Sequence, residues 1–158
     1  AGFRAAGDRN GEAEALVHHA LVLLNQGAYA RTLEHIDAAL DLGRRGAAVS
    51  LDRAHHYLGL LYLGMRDLDE ARGHLDRALD ESRRLPDPMR AAPVLGSLAR
   101  IANAQSRYEE ALRFCDESDA LSRRFDSVPG LAYGALERGR ALLGLGRFEE
   151  ARASLEPR

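Results

Sequence analysis

The fold of this chain is decided by Leu58-Gly59-Leu60-Leu61-Tyr62 and by Asp67-Leu68-Asp69-Glu70-Ala71, which follows it. The second stretch contains an apolar residue, two acids and a small residue in succession, and related blocks recur along the chain. These blocks begin at Tyr29, Leu68, Tyr108 and Phe148. Their spacings are 39, 40 and 40 residues, although the first copy is weaker because it lacks the acids. A fixed period of this size indicates an array of stacked supersecondary units.

Apolar residues follow helical spacing through the chain. Leu16, Ala20, Leu23 and Leu24 have the i, i+4, i+7, i+8 spacing of one buried helical stripe. No stretch alternates apolar and polar residues long enough to predict a strand. Pro93 either lies in the first turn of its helix or kinks that helix. We predict an all-α fold with seven full helices and part of an eighth, at about 11–26, 29–44, 49–65, 68–84, 89–105, 108–125, 128–145 and 148–156.

The composition indicates a globular protein without a membrane segment. The chain has 158 residues, of which 46% are hydrophobic and 29% are charged. The formal net charge of −2 is spread over interspersed acids and bases, so no overall field favours nucleic acid. No run of about 18 apolar residues exists, so we expect no membrane-spanning segment. The single cysteine, Cys115, cannot form an internal disulfide, which fits a reducing compartment, and we predict a cytoplasmic location.

Small residues recur at two fixed depths in each repeat. They are Ala20, Gly59, Ala99 and Gly139 in the first helix, and Thr32, Ala71, Ala111 and Ala151 in the second. Small side chains let helix backbones approach closely, while the aromatic residue or leucine that opens each block fills the space beside the turn. In these features the chain resembles the tetratricopeptide repeat (TPR) family. The resemblance implies an α-solenoid of stacked antiparallel helix hairpins that forms a right-handed superhelix.

The repeat register predicts how the units are arranged. We expect residues 1–158 to form a single array cut from a longer protein, with the tail of a preceding unit at 1–12. The following units cover about 13–51, 52–91, 92–131 and, incompletely, 132–158. The usual repeat has 34 residues, whereas the period here is about 40, which is similar to sensor and interaction regions of bacterial regulators. Asp119 stands where Leu40 and Leu79 stand in earlier units, so we expect the third unit to pack differently.

The resemblance also implies where a partner would bind. In TPR proteins the first helix of each hairpin lines a concave groove that holds a protein or peptide. The residues at the corresponding positions include Arg53, His56, Tyr57, Leu60, Arg100, Asn103, Tyr133 and Arg140. Arginine suits bidentate capture of a carboxylate or phosphate, and tyrosine supplies rigid contact area. The alternative is that these residues form a surface of mixed polarity, which neighbouring helices partly cover, and bind no ligand.

Residues of types that could carry catalysis or hold a metal are better explained by structural roles in the repeat. Paired acids such as Glu109-Glu110 face the unpaired N–H groups of a first helical turn, and their side chains diverge by about 100°. His18-His19 and His55-His56 diverge in the same way, whereas zinc needs three or four converging ligands. Cys115 shares the repeat position of Ile36, which indicates a core residue. We predict no enzyme activity, no catalytic or metal-binding residue and no cofactor.

The pattern favours a non-catalytic scaffold that binds a protein or peptide in its concave groove. A narrower hypothesis is the sensor or interaction segment of a bacterial transcriptional regulator, which rests on the long period and the truncated units. Two alternatives remain open. The exposed ends of the array, including Phe3 and Leu155, could join copies into a homo-oligomer. The other alternative is that arginine pairs bind an acidic partner or nucleic acid, although the net charge does not favour nucleic acid. These pairs are Arg44-Arg45, Arg83-Arg84 and Arg123-Arg124.

Overall fold

The structure is a computed structural model, and it describes residues 8–155. Its α-helices are α1 (Arg9–Asn25), α2 (Tyr29–Arg44), α3 (Leu51–Gly64), α4 (Leu68–Arg84), α5 (Ala91–Ala104), α6 (Tyr108–Arg124), α7 (Val128–Gly144) and α8 (Phe148–Leu155). A short 3-10 helix, Pro88–Arg90, precedes α5. No strand occurs within residues 8–155, and the all-α prediction is confirmed. Every helix begins and ends within two residues of its predicted position.

Local sequence signals set where several helices begin. The Asp8 side chain accepts a hydrogen bond from the Gly11 N–H at 2.9 Å, which satisfies an otherwise unpaired donor at the start of α1. The Ser127 hydroxyl accepts from the Gly130 N–H at 3.4 Å at the start of α7. Pro93 is the third residue of α5, so it lies in the first turn, where its missing N–H leaves no helical hydrogen bond unmade. Of the two predicted placements of Pro93, the structure therefore shows the first.

Each turn between the two helices of a hairpin contains one residue in the left-handed conformation. These residues are Gly27, Arg66, Ser106 and Gly146, with φ angles of 73°, 68°, 59° and 72°. Their spacings of 39, 40 and 40 residues reproduce the period of the sequence. Glycine adopts positive φ without steric cost, whereas Arg66 and Ser106 carry about 1–2 kcal/mol of strain each. The backbone therefore repeats even at turns where the residue type does not.

The chain divides into two compact units, and the boundary between Ala78 and Leu79 falls inside α4. In the first unit, α1 and α2 form a hairpin joined by a short turn, and α3 packs against both. Short connections make consecutive helices antiparallel neighbours. The core that these three helices share consists of Val17, Ala20, Ile36, Ala39, Ala54, Tyr57 and Leu58.

The second unit repeats this arrangement. The α5–α6 hairpin packs against α7, and α7 pairs with α8. The small residues at its centre are Ala99, Ala102, Ala111, Cys115 and Ala141. Alanine at these depths allows the close helix approach that the sequence indicates. A single array over 1–158 stays a prediction; Phe3 and residues 1–7 of the predicted tail lie outside the described residues, whereas residues 9–12 of that tail belong to α1.

In both units an aromatic ring from the turn of one hairpin covers a glycine on the next first helix. A Cβ atom on Gly64 would lie 2.6 Å from the Tyr29 hydroxyl oxygen, so glycine leaves the space that this ring occupies. Tyr108 and Gly144 make the equivalent contact in the second unit. Through this contact the first helix of a hairpin, α3 or α7, docks on the hairpin before it.

Two glycines of the α3–α4 hairpin should respond to alanine in opposite directions. A Cβ atom on Gly59 would lie 2.6 Å from the buried Leu75 side chain, whereas nothing lies within 4 Å of one on Gly73. We expect Gly59→Ala to lower the free energy of unfolding by about 1–3 kcal/mol. We expect Gly73→Ala to raise it by about 0.5–1 kcal/mol, because alanine favours a helix at an open position. Urea denaturation measures both, and equal effects would contradict the close α3–α4 packing.

Candidate functional site

In the first unit, Glu14 of α1 organises the start of α3. Its Oε1 accepts hydrogen bonds from the Ser50 N–H at 2.9 Å and from the Ser50 hydroxyl at 2.7 Å. Its Oε2 lies 3.7 Å from Nη1 of Arg53, and the same Nη1 lies 3.4 Å from Nε2 of His18. Arg53 is therefore held toward α1 by a long ion pair, with 38% of its side chain exposed. A carboxylate from a ligand would compete with Glu14 for this cation.

The other predicted groove residues of the first unit lie deeper. Burial lowers the pKa of His56 to about 4, against the opposing effect of the Asp52 carboxylate. Tyr57 is 8% exposed and belongs to the core. Leu60 packs against that core and is partly buried. Of the four predicted groove residues in this unit, Arg53 is therefore the charged one, whereas His56 is neutral and Tyr57 belongs to the core.

In the second unit, a fully buried carboxylate joins α5 to α7. Nδ2 of Asn103 donates to the main-chain oxygen of Glu137 at 2.9 Å and to its Oε2 at 3.1 Å. Nη1 of Arg140 donates to Oε1 of Glu137 at 2.7 Å. Each carboxylate oxygen thus has a donor, which is the condition under which a buried charge is tolerated. Two predicted groove residues, Asn103 and Arg140, are brought together by an acid that lies between them.

Arg100 and Tyr133 lie beside this carboxylate. The ring of Tyr133 lies over Gly96 of α5, where an added Cβ would come within 2.7 Å of it. The guanidinium of Arg100 lies close enough to the Tyr133 side chain to favour its ionised form. Burial, and then the Glu137 carboxylate, raise the pKa of Tyr133, which therefore stays a neutral phenol. We define the α5–α7 cluster as Arg100, Asn103, Tyr133, Glu137 and Arg140.

One position of the first helices is buried in three consecutive repeats. It is occupied by Tyr57, Ser97 and Glu137, which are 8%, 4% and 0% exposed. Tyr57 shares a core with the α1–α2 hairpin, and Glu137 contacts Asn103 of α5. The residue at this position in the first repeat, His18, is exposed. At Tyr57 and at Glu137 this position therefore faces the hairpin before it in the same unit, and it offers little surface to a ligand.

Sequence reasoning missed a second buried ion pair. Arg138 of α7 donates from Nη2 to Oδ2 of Asp119 and from Nη1 to Oδ1 of Asp116, both at 2.8 Å. The Asp119 side chain is 8% exposed, and its carboxylate lies against Gly134 of α7. The third repeat thus contacts α7 through an ion pair, at a position that leucine occupies in earlier repeats.

A comparison of equivalent positions in the repeats could have revealed this ion pair from the sequence. Leucine occupies the position of Asp119 at Leu40 and Leu79, and the position of Arg138 at Leu58 and Leu98. Both partners therefore depart from leucine together, one to an acid and one to a base. A simultaneous departure of opposite charge indicates a contact, because either charge alone would be costly to bury.

Three further side chains within residues 8–155 are of types that could carry chemistry: Cys115, His55 and His74. Burial raises the pKa of the Cys115 thiol to about 12, so little of the nucleophilic thiolate forms. Nδ1 of His55 lies 3.1 Å from Nδ1 of His74, a hydrogen-bond distance, and burial lowers the pKa of both imidazoles. Across residues 8–155, no group of three or more His, Cys, Asp or Glu side chains is placed to hold a metal ion.

Several arginines of the closing pairs already have acidic partners. Arg44 and Arg45 lie 3.3 Å and 2.7 Å from oxygens of Asp41. Arg83 lies 2.6 Å from an oxygen of Glu117. These contacts leave less unbalanced charge for nucleic acid or an acidic partner at the ends of α2 and α4.

The comparisons with known proteins agree with this architecture. A family model described as tetratricopeptide repeat matches residues 50–114. This match confirms the resemblance to that family found in the sequence. Comparison with the curated proteins found no match. Repeats of this family generally serve as scaffolds for protein–protein interaction, and the fold is typically non-catalytic.

Among solved structures, the chain is similar to a crystal structure of a variant of a putative kinesin light chain from Podosopora anserina, described as having nearly identical TPR-like repeats. The TM-score is 0.69 at 16% sequence identity, over 89% of this chain and 69% of that chain. At this identity the likeness shows the fold alone, an all-α helical repeat. Of the helices described here, none is both long and apolar enough to cross a bilayer.

Proposed function

We propose that this chain is a non-catalytic scaffold that holds a carboxylate-bearing peptide or protein segment against α5 and α7. The proposal depends on one observation, the exposed guanidinium of Arg100 in the α5–α7 cluster. Arg100 is exposed, and it forms no ion pair with any residue of the range 8–155. The side chain of Tyr133 lies beside it. The N–H groups of the Arg100 guanidinium match the geometry of a carboxylate, and a rigid aromatic beside an arginine is a common anchor in interfaces.

Arg140 supplies a second cation to the same cluster. Its side chain is 52% exposed although Nη1 binds Glu137, so the outer edge of the guanidinium faces solvent. Asn103 holds the other oxygen of Glu137 and thereby fixes α7 to α5. A surface fixed in this way loses less conformational entropy when a partner binds. Arg53 of the first unit, bound to Glu14 at 3.7 Å, offers a separate and weaker contact for an acid.

Loss of both cluster arginines should weaken peptide binding. The probe is a labelled peptide selected on the wild-type chain from a random display library, and fluorescence anisotropy gives its Kd. We expect the selected sequences to be rich in Asp and Glu. We expect Arg100→Ala/Arg140→Ala to raise the Kd at least about tenfold, because a hydrogen bond to a charged group contributes about 1.5–3 kcal/mol.

The matched control removes the same charge from α6. Arg113 and Arg123 are exposed on that helix, and neither forms an ion pair within the described part of the chain. We expect Arg113→Ala/Arg123→Ala to leave the Kd within about twofold. A library that yields no binder, or an equal loss of affinity in the two double variants, would contradict the proposal.

We also infer that the parent protein is a bacterial transcriptional regulator in which this segment senses or recruits a partner in the cytoplasm. The period of about 40 residues supports this narrower function, because it is the feature that the chain shares with such regions. The domains encoded beside this segment provide the test. A DNA-binding or signalling ATPase domain is expected, and an enzyme domain on both sides without a regulatory one would count against the inference.

A further inference from the structure

Two histidines join α3 to α4 within the first unit. Nδ1 of His55 lies 3.1 Å from Nδ1 of His74, and the two ring planes differ by 23°. The ring of Tyr62, which follows His55 on the same face of α3, stacks on His74 at a centroid distance of 5.4 Å. One side chain of α4 is therefore held by two side chains of α3. We define His55 and His74 as the histidine pair.

The hydrogen bond in this pair limits how many protons the pair can carry. A bond between two Nδ1 atoms needs one ring with a hydrogen on Nδ1 and one ring without it. A first proton can bind Nε2 of the donor ring, and the hydrogen bond then remains. A second proton has to bind the accepting Nδ1, which would make two cationic N–H groups face each other across 3.1 Å. While the two helices are in contact, the pair therefore holds at most one proton.

The surroundings of the pair also disfavour positive charge. Burial is the largest cause that lowers the pKa of each imidazole. The charge of His74 and then that of Arg77 lower the pKa of His55 further, and Arg77 acts in the same direction on His74. The Glu70 carboxylate opposes this effect at His74. Both charged groups lie on α4, one turn to either side of His74, and Tyr62 is the neighbour on α3.

The histidines of the chain are confined to the first unit. All six lie between His18 and His74, and this unit ends at Ala78. Histidine is the side chain whose ordinary pKa places its change of charge between about pH 5 and pH 8. Mild acid therefore acts on imidazoles in the first unit and has none to protonate in the second.

We propose that the histidine pair is a pH-sensitive switch, which keeps α3 and α4 together with zero or one proton and releases them when it binds two. The release is confined to residues 51–78 of the first unit. Separated rings no longer share a hydrogen, so each binds its own proton, as in the unfolded chain. Because the closed form binds fewer protons, opening is favoured as the pH falls, by about tenfold per pH unit for each excess proton in the open form.

Hydrogen exchange of the full chain at pH 6 and pH 5 tests this switch, with each rate divided by its intrinsic value at that pH. We expect the protection of residues 51–78 to fall at least about tenfold more in the wild type than in His55→Gln/His74→Gln. His56 is present in both proteins, so its own titration cancels. The protection of α5 and α6 should change by less than about twofold in both proteins, because the second unit has no histidine.

His18→Gln/His19→Gln is the matched control, because it removes two exposed imidazoles from α1 of the same unit. It should respond to pH as the wild type does. Equal losses of protection in the wild type and in His55→Gln/His74→Gln overturn the proposal.

An NMR titration of the wild-type imidazoles gives a second readout that needs no substitution. His55 and His74 should bind protons in two coupled steps, and the second step should accompany the loss of protection in residues 51–78. Two rings that are both fully protonated while those amides stay protected would show that the contact between α3 and α4 tolerates the second proton, and the proposal would then be wrong.

Discussion

Replacing Arg138 by methionine should lower the free energy of unfolding by about 3–5 kcal/mol. The substitution keeps most of the side-chain volume but removes the cation that lies 2.8 Å from Asp119. The Asp119 side chain is only 8% exposed, and its Oδ1 is buried with no hydrogen-bond partner within residues 8–155. Its charge would remain buried without compensation, which costs more than the loss of an ordinary surface ion pair. Urea denaturation measures the change.

Two further variants separate this cause from a packing defect. Asp119→Asn in the Arg138→Met background removes the uncompensated charge and should restore most of the lost stability. Arg84→Met breaks an exposed ion pair with Glu81, in which 70% of the arginine side chain is accessible. That variant should cost no more than about 1 kcal/mol. If Arg138→Met and Arg84→Met lowered the free energy of unfolding equally, the buried ion pair with Asp119 would stabilise the fold no more than an exposed one does.

Acidification should destabilise the first unit by about 3 kcal/mol between pH 7 and pH 4 through His56 alone. The folded chain protonates this imidazole only near pH 4, whereas the unfolded chain protonates it near pH 6.5. Protons therefore bind the unfolded state more readily in this window. The contribution is fully present above pH 6.5 and is lost as the pH falls through the folded pKa. His55 and His74 act in the same direction, because burial lowers their pKa as well.

His56→Gln isolates this effect, because an amide is neutral at every pH. Between pH 7 and pH 5, where carboxylates titrate little, the wild type should lose about 2 kcal/mol more than the variant. His18→Gln removes an exposed imidazole and controls for the substitution itself. Parallel stability curves for the wild type and His56→Gln would show that His56 is not buried in the neutral form.

The hairpins could be predicted because their signals are local and repeat. A small residue at a helix contact and an aromatic residue after a turn depend only on positions within one repeat and its neighbour, as Gly64 and Tyr29 illustrate. The turn positions follow for the same reason, although Arg66 and Ser106 adopt the left-handed conformation without being glycine.

The depth of individual side chains could not be predicted in this way. Tyr57 and Glu137 occupy a position that the family resemblance assigns to a groove, yet both are buried where a first helix meets the preceding hairpin. The role of Glu137 depends on donors from two helices, Asn103 and Arg140, and no spacing within one helix reveals them. Whether the eight predicted groove residues bind a ligand stays a prediction. Our proposal for the second unit rests on Arg100 and Arg140.

Cys115 gives the second unit a natural reporter of local opening. It is the only cysteine of the chain, it is 1% exposed, and its pKa is raised to about 12. A thiol reagent can modify it only while α6 is separated from its neighbours. The rate of modification therefore records the opening of one unit, and the other unit contributes no signal. Local opening of the second unit is thus measurable on the unaltered chain, without an added probe.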